Sequence, residues 1–275
     1  MVYSLLSNLM HRNIKLEIAY DGTTFYGWQE THEGPSIEGV LRNILEQILQ
    51  ERITLQAASR TDRGVHAIGQ VVNFFTTKPY PLSSLKKSMN ALLPVEIRVL
   101  NAYEMPLSFH PTLDSSGKEY HYELTYGEIQ LPHKRLYAWH VPYALDIEKM
   151  RQGALYFCGS HDFSSFCNMR KNLNYPDCQR EICRLEIHDD THGNLRLEIT
   201  GNHFLYKMVR NIVGTLAYVG QGKMDPEEIL VILDAKSRDA AGVTAPAHGL
   251  TLAKIFYPEE IDHSSLQHHE HLASL

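Results

Sequence analysis

Two stretches of this chain pass through the same order of hydrophobic periods, and that repetition limits the fold more than any other feature. Residues 14–20 alternate as a strand does, with Ile14, Leu16, Ile18 and Tyr20 on one face and Lys15, Glu17 and Ala19 on the other. Asp21-Gly22 then turns the chain. Ser36 offers an N-cap, after which Ile37, Val40, Leu41, Ile44, Leu45, Ile48 and Leu49 recur with a helical period. A short strand is expected at about 53–59 and a Val- and Phe-rich one at about 70–77. Leu82, Leu85, Met89, Leu92 and Leu93 mark a second helix, stopped by Pro94, and Ile97 and Val99 a last strand. The order is βαββαβ, that of the ferredoxin-like arrangement.

The second half repeats it without obvious sequence identity. Strand 118–125 carries Tyr120, Tyr122 and Leu124 on one face, and Asp146 starts a helix at about 146–157. Strands near 180–188 and 194–200 precede a helix over 203–219, which Gly220 or Gly222 can close. Asp225-Pro226-Glu227-Glu228 opens an extra helix, and Leu250–Tyr257 forms the final strand. The expected fold class is therefore α+β: two ferredoxin-like subdomains joined into one broad mixed sheet, helices on one side, with a central active-site cleft. The expected division is an N-terminal extension at 1–12, subdomains at 13–105 and 106–258, and an acidic, His-rich, disordered tail at 259–275.

A chain of 275 residues suits one large domain or two small ones. The longest apolar-leaning run, Phe204 to Val219, holds Lys207 and Arg210 and is too short to span a bilayer. Met1 to Arg12 lacks the basic-then-apolar order of a signal peptide, so a cytoplasmic protein is expected. Cys158, Cys167, Cys178 and Cys183 make no CxxC pair, which disfavours zinc and redox roles and fits reduced thiols. The net charge of −6 speaks mildly against a nucleic-acid partner. It is unevenly spread: Glu259–Leu275 holds four acids and no Lys or Arg, while 203–223 holds Lys207, Arg210 and Lys223 and no acid.

The chemistry concentrates in Ser59-Arg60-Thr61-Asp62-Arg63-Gly64-Val65-His66-Ala67. Asp62 stands between two guanidiniums that stay charged at any working pH. It is expected to be an anion, fit to act as nucleophile or base and unsuited to donate a proton. Gly64 allows a tight turn that holds the carboxylate out of the chain's path. Taken alone, such a loop is more often a surface ion-pair lattice. His161-Asp162 has the form of a metal phosphohydrolase pair, but no further ligand follows at the required spacing, and a structural or RNA-facing loop is expected there. His268, His269 and His271 in the tail are read as solvated.

Further motifs accompany that loop in order. They are Asp21-Gly22-Thr23-Thr24-Phe25-Tyr26-Gly27-Trp28-Gln29, Gly159-Ser160-His161-Asp162-Phe163, Met208-Val209-Arg210-Asn211-Ile212-Val213-Gly214, and Thr244-Ala245-Pro246-Ala247 with Gly249-Leu250. With these the chain, from about residue 13 to 257, resembles the tRNA pseudouridine synthase A (TruA) family. The resemblance implies an isomerase that detaches a uracil from C1′ of a tRNA uridine in the anticodon stem-loop, rotates it and rejoins it through C5. It implies a homodimer that needs no metal or organic cofactor. It implies Asp62 as catalytic nucleophile, Tyr120 stacked on the target base and Arg210 paired with Asp62. Arg60 is the residue expected to enter the stack that the target leaves empty, since guanidinium planes stack on bases. Attack of Asp62 on C1′, attack on C6, and elimination to a glycal all remain open. The chain departs from the family pattern at Glu38, Ser59, Thr112 and Lys118. Two other readings are a non-catalytic tRNA-binding or tRNA-folding protein on the same scaffold, and a metal-dependent hydrolase.

Overall fold

The computed structural model describes residues 11–168, 177–190 and 192–261. Most of the expected N-terminal extension, and the tail from 262 onward with His268, His269 and His271, lie outside the described residues. The chain divides into two compact units, one of residues up to 63 with 67–115, the other of 64–66 with 116 onward.

The first unit runs β1 (Arg12–Tyr20), α1 (Ile37–Leu49), β2 (Gln56–Ala57), β3 (His66–Thr76), α2 (Leu82–Leu92) and β4 (Ile97–Met105). β1 pairs antiparallel with β3 and β4, and β2 pairs with the other edge of β3, so the order is β4-β1-β3-β2. The order of elements is the expected one, although β2 keeps only two residues. Ser36 caps α1 by accepting the Gly39 N–H at 3.1 Å. Ile37, Leu41, Leu45 and Leu49 bury the apolar stripe of α1, which α2 joins through Leu85 and Met89. The opposite face of β1 is also covered. Asn13 donates to the carbonyls of Pro106 and Phe109 at 3.1 and 2.9 Å. Buried Lys15 lies 3.5 Å from Glu17 and over the Tyr103 ring. Residues 106–115 therefore belong to the first unit, ten residues beyond the boundary expected at 105.

The second unit runs β5 (Gly117–Tyr126), β6 (Trp139–Val141), α3 (Ile147–Leu155), β7 (Gly159–Asp162), β8 (Gln179–Asp189), β9 (Asn194–Gly201), α4 (Met208–Gly220), α5 (Glu228–Ala235) and β10 (Leu250–Phe256). Its antiparallel order is β10-β5-β9-β8-β7, the same arrangement as the first unit with β7 added. β6 pairs parallel with the C-terminal end of β5. Three expectations change. β6 was not anticipated. His161-Asp162 lies in strand β7 and is not a loop. α4 begins at Met208, not at 203, because Lys207 takes a left-handed conformation at φ 61° and the helix starts after it. Tyr122, Leu124, Leu195, Leu197, Ile199 and Leu252 form the buried face of the sheet. α4 buries nearly its whole length, which explains why its sequence is apolar almost all round.

Candidate active site

The Asp62 loop is built by contacts to its N-terminal stem. Thr61 is buried and fixed twice: its hydroxyl meets the Tyr20 hydroxyl at 2.8 Å, and its carbonyl accepts the Trp28 N–H at 3.0 Å. Gln70, fully buried on β3, holds Ser59 from both sides, donating to its carbonyl at 2.6 Å and accepting its N–H at 3.3 Å. Gly27, at φ +94°, lies against the loop so closely that a Cβ there would stand 2.8 Å from the Thr61 carbonyl oxygen. The glycine in the Phe25-Tyr26-Gly27-Trp28 motif is thus explained by the loop it supports. The Arg63 guanidinium lies 4.0 Å over the Tyr26 ring, a cation–π contact that fixes the residue after Asp62. Asp62 itself is half-buried and Arg60 exposed. Gly64 turns the chain at φ +79°, as its place after Asp62-Arg63 led one to expect.

In the second unit, one short segment organises the polar groups. Arg210, half-buried on the first turn of α4, donates Nε–H to the Ala245 carbonyl at 2.7 Å, and the Ala245 N–H returns a bond to the Arg210 carbonyl at 3.0 Å. Its neighbour Asn211, fully buried, donates to the Phe166 carbonyl and to Asn168 Oδ1 and accepts from the Thr244 hydroxyl at 2.7 Å. The Tyr122 hydroxyl donates to the Pro246 carbonyl at 2.8 Å, and burial pushes that phenol above its usual range. His66 Nε2 lies 3.2 Å from the His248 carbonyl, and its ring is 5.2 Å from Tyr137. His248 Nε2 in turn lies 3.2 Å from the Ala138 carbonyl. Burial holds His248 below the usual histidine range, against the opposing hydrogen bond to Ala138 and with help from the nearby Arg210 charge. The Met208–Gly214 and Thr244–Leu250 motifs are therefore one packing arrangement.

Tyr120 is buried on β5, its ring edge-on to Phe204 at a centroid distance of 5.1 Å. Lys118, two residues earlier on the same face, is buried, and burial pulls its ammonium down to about 8. His203 also titrates below its usual range, through burial and the nearby charges of Lys118 and Arg180. Two other departures from the family pattern have plain structural partners: the Thr112 hydroxyl donates to the Ala57 carbonyl at 2.8 Å, and Glu38 accepts the Glu30 N–H.

The His161-Asp162 pair is structural. His161 Nε2 meets the Cys158 carbonyl at 3.0 Å, and Asp162 accepts from Ser164 and pairs with Lys236 at 3.1 Å. Among the described residues, Glu186, His188 and Glu198 could converge on a cation, but the Arg184 guanidinium already lies within 3.6 Å of both carboxylates.

Of the four expected site residues, Asp62 and Arg60 belong to the first unit, Tyr120 and Arg210 to the second. The sequence reading missed Gly27, His66, Tyr122, Phe204 and His248. Gly27 and His66 stood inside quoted motifs; for Tyr122 the only signal was its place two residues after Tyr120. Phe204 opened the apolar-leaning run that was read as part of the helix, so nothing marked it as a partner of Tyr120.

The profile of a family described as tRNA pseudouridine synthase matches residues 17–114 and 154–258. The chain is 54% identical over 249 residues to tRNA pseudouridine synthase A 2 of Protochlamydia amoebophila, covering 90% of this chain and 94% of that protein. It is 43% identical to tRNA pseudouridine synthase A of Bacillus pumilus over 89% of this chain and 98% of that one. It is 40% identical to the protein of that name from a Thermoanaerobacter species, over 90% of this chain and all of the other. Among solved structures it is similar to a Cbf5-Nop10-Gar1 complex at 12% identity and a TM-score of 0.39, covering 89% of this chain and 50% of that one, a likeness too slight to carry an inference. Motifs, order of elements and relatives agree: the chain belongs to the tRNA pseudouridine synthase family.

Proposed function

We propose that this protein isomerises uridine to pseudouridine in the anticodon stem-loop of tRNA. The observation that carries the reading is the Asp62 loop. Thr61 and Arg63 on either side of Asp62 are fixed by Tyr20, Trp28 and Tyr26, which presents a half-buried carboxylate on a braced turn. The reaction breaks C1′–N1, turns the base and forms C1′–C5; the hydrogen on C5 leaves as a proton and N1 takes one up. The sugar carbon becomes electron-poor when C1′–N1 breaks, and a placed carboxylate can trap or stabilise it. Asp62 serves as nucleophile, Tyr120 as platform for the base, Arg210 as charge partner of Asp62, and Arg60 as the group that fills the vacated stack. Cytoplasmic location and a homodimer with tRNA as partner belong to the same reading, on the strength of the family resemblance.

The test is tritium release from unmodified tRNA labelled at uridine C5, with the parent and Asp62→Asn. Release by the parent and none by the variant is expected. A parent that binds several tRNAs and releases nothing from any would favour a non-catalytic tRNA-binding protein. Release by a folded Asp62→Asn at the parent rate would remove Asp62 from the role.

A further inference from the structure

The carbonyls of residues 245–248 receive three side chains that come from three different places in the sequence. Ala245 accepts Arg210 Nε–H, Pro246 accepts the Tyr122 hydroxyl, and His248 faces His66 Nε2 at 3.2 Å. A carbonyl oxygen can only accept, so His66 must carry its proton on Nε2. His66 is only 6% exposed, and Tyr137 lies against its ring. It stands four residues after Asp62. Between them only Gly64, in the left-handed region, and Val65 separate the anchored His66 from the Arg63 stacked on Tyr26. A Cβ at Gly64 would lie 3.5 Å from the Ala247 side chain, so the same segment also backs the turn.

We infer that His66 is a positioning residue: its Nε2–H bond to the His248 carbonyl fixes residues 64–66, the C-terminal stem of the Asp62 loop. Thr61 holds the loop's other stem. A loop held at one end only can rotate about the glycine, and a misplacement of about 1 Å costs on the order of 10²-fold in rate. His66 touches no reacting atom in this role. It acts through the place it gives to Asp62, and this part of the inference rests on the synthase reading.

The experiment compares the parent, His66→Ala and His66→Gln, whose amide N–H can reach the same carbonyl. Steady-state tritium release gives kcat and KM, and amide hydrogen exchange at Gly64 and Val65 gives the looseness of the stem. Long-range nitrogen–proton correlation gives the His66 tautomer. In His66→Ala, kcat is expected to fall at least tenfold with KM little changed, and exchange at Gly64 and Val65 to quicken. His66→Gln is expected to restore most of both, and the parent to show the Nε2–H tautomer. Parent kcat and parent exchange in His66→Ala, or an Nδ1–H tautomer in the parent, would overturn the inference. If the parent itself releases no tritium, the synthase reading fails separately, and the tautomer and exchange still decide whether His66 anchors the loop.

Discussion

Gly214 of α4 lies so close to Val243 that a Cβ on it would overlap the Val243 carbonyl oxygen. This contact brings the chain just before residues 244–249 down onto the helix that carries Arg210. Gly214→Ala gains about 1 kcal/mol of helix propensity. It loses more, because overpacking a well-filled contact costs about 1–3 kcal/mol and here the obstacle is backbone. A lower midpoint of thermal unfolding is expected; an unchanged or higher one would contradict the packing described.

Gly27 gives a second steric test, this time of the loop. Gly27→Ala places a Cβ against the Thr61 carbonyl at a backbone angle that L side chains rarely adopt. The loop must shift, and turnover is expected to fall on the order of 10²-fold with tRNA affinity much less affected. Parent turnover in this variant would show that Gly27 does not set the position of Asp62.

Asp62→Asn keeps the shape of the side chain and removes its charge and nucleophilicity. Turnover is expected to drop by on the order of 10³-fold or more, with unfolding midpoint and tRNA binding close to the parent. Filter binding beside tritium release separates loss of chemistry from loss of substrate.

Tyr120 can be tested without emptying the core. Tyr120→Leu fills much of the same space against Phe204 but offers no aromatic face, whereas Tyr120→Phe keeps the face. Base stacking is worth about 1–3 kcal/mol, so Tyr120→Leu is expected to lower kcat/KM by roughly 10- to 100-fold. Tyr120→Phe should stay near the parent. Equal values for both variants would leave Tyr120 as packing alone.

Lys118 makes a pH prediction. Its folded value is pulled to about 8 by burial, from an ordinary 10.5. Between those values the unfolded chain binds the extra proton, so this residue makes stability rise with pH across that window. Below about 8 both states are protonated, and the penalty for burying the charge, about 3 kcal/mol, is present in full. Lys118→Met is therefore expected to be more stable than the parent at pH 7, with a gap that closes as pH rises toward 10.5. The His203 titration, held down partly by Lys118, should move upward in the same variant. A pH-independent gap would show that Lys118 is not buried as a titrating group.

Much of the fold could be read from the residues because its long elements carry strong periods. β1 alternates over Ile14 to Tyr20, and α1 has both its Ser36 cap and its stripe. β6 and β7, of three and four residues, are too short to show any period. The start of α4 was misplaced because Phe204, Leu205 and Tyr206 look helical, while a single left-handed residue at Lys207 decides the boundary. At the site, Asp62 and Arg210 stood out as side chains inside motifs. The carbonyls of 245–248 that meet Arg210, Tyr122 and His66 did not, because a carbonyl is the same atom whatever residue bears it.

That last point has a consequence for how this region tolerates change. A segment that works through successive backbone oxygens is sensitive to its length more than to its letters. Replacing the Ala247 methyl would leave the oxygens of Ala245, Pro246 and His248 in register with Arg210, Tyr122 and His66. One residue inserted between Ala245 and His248 would change the spacing of those oxygens, so that they could no longer all meet their donors at once; the spacing here is a frame that insertions and deletions disturb.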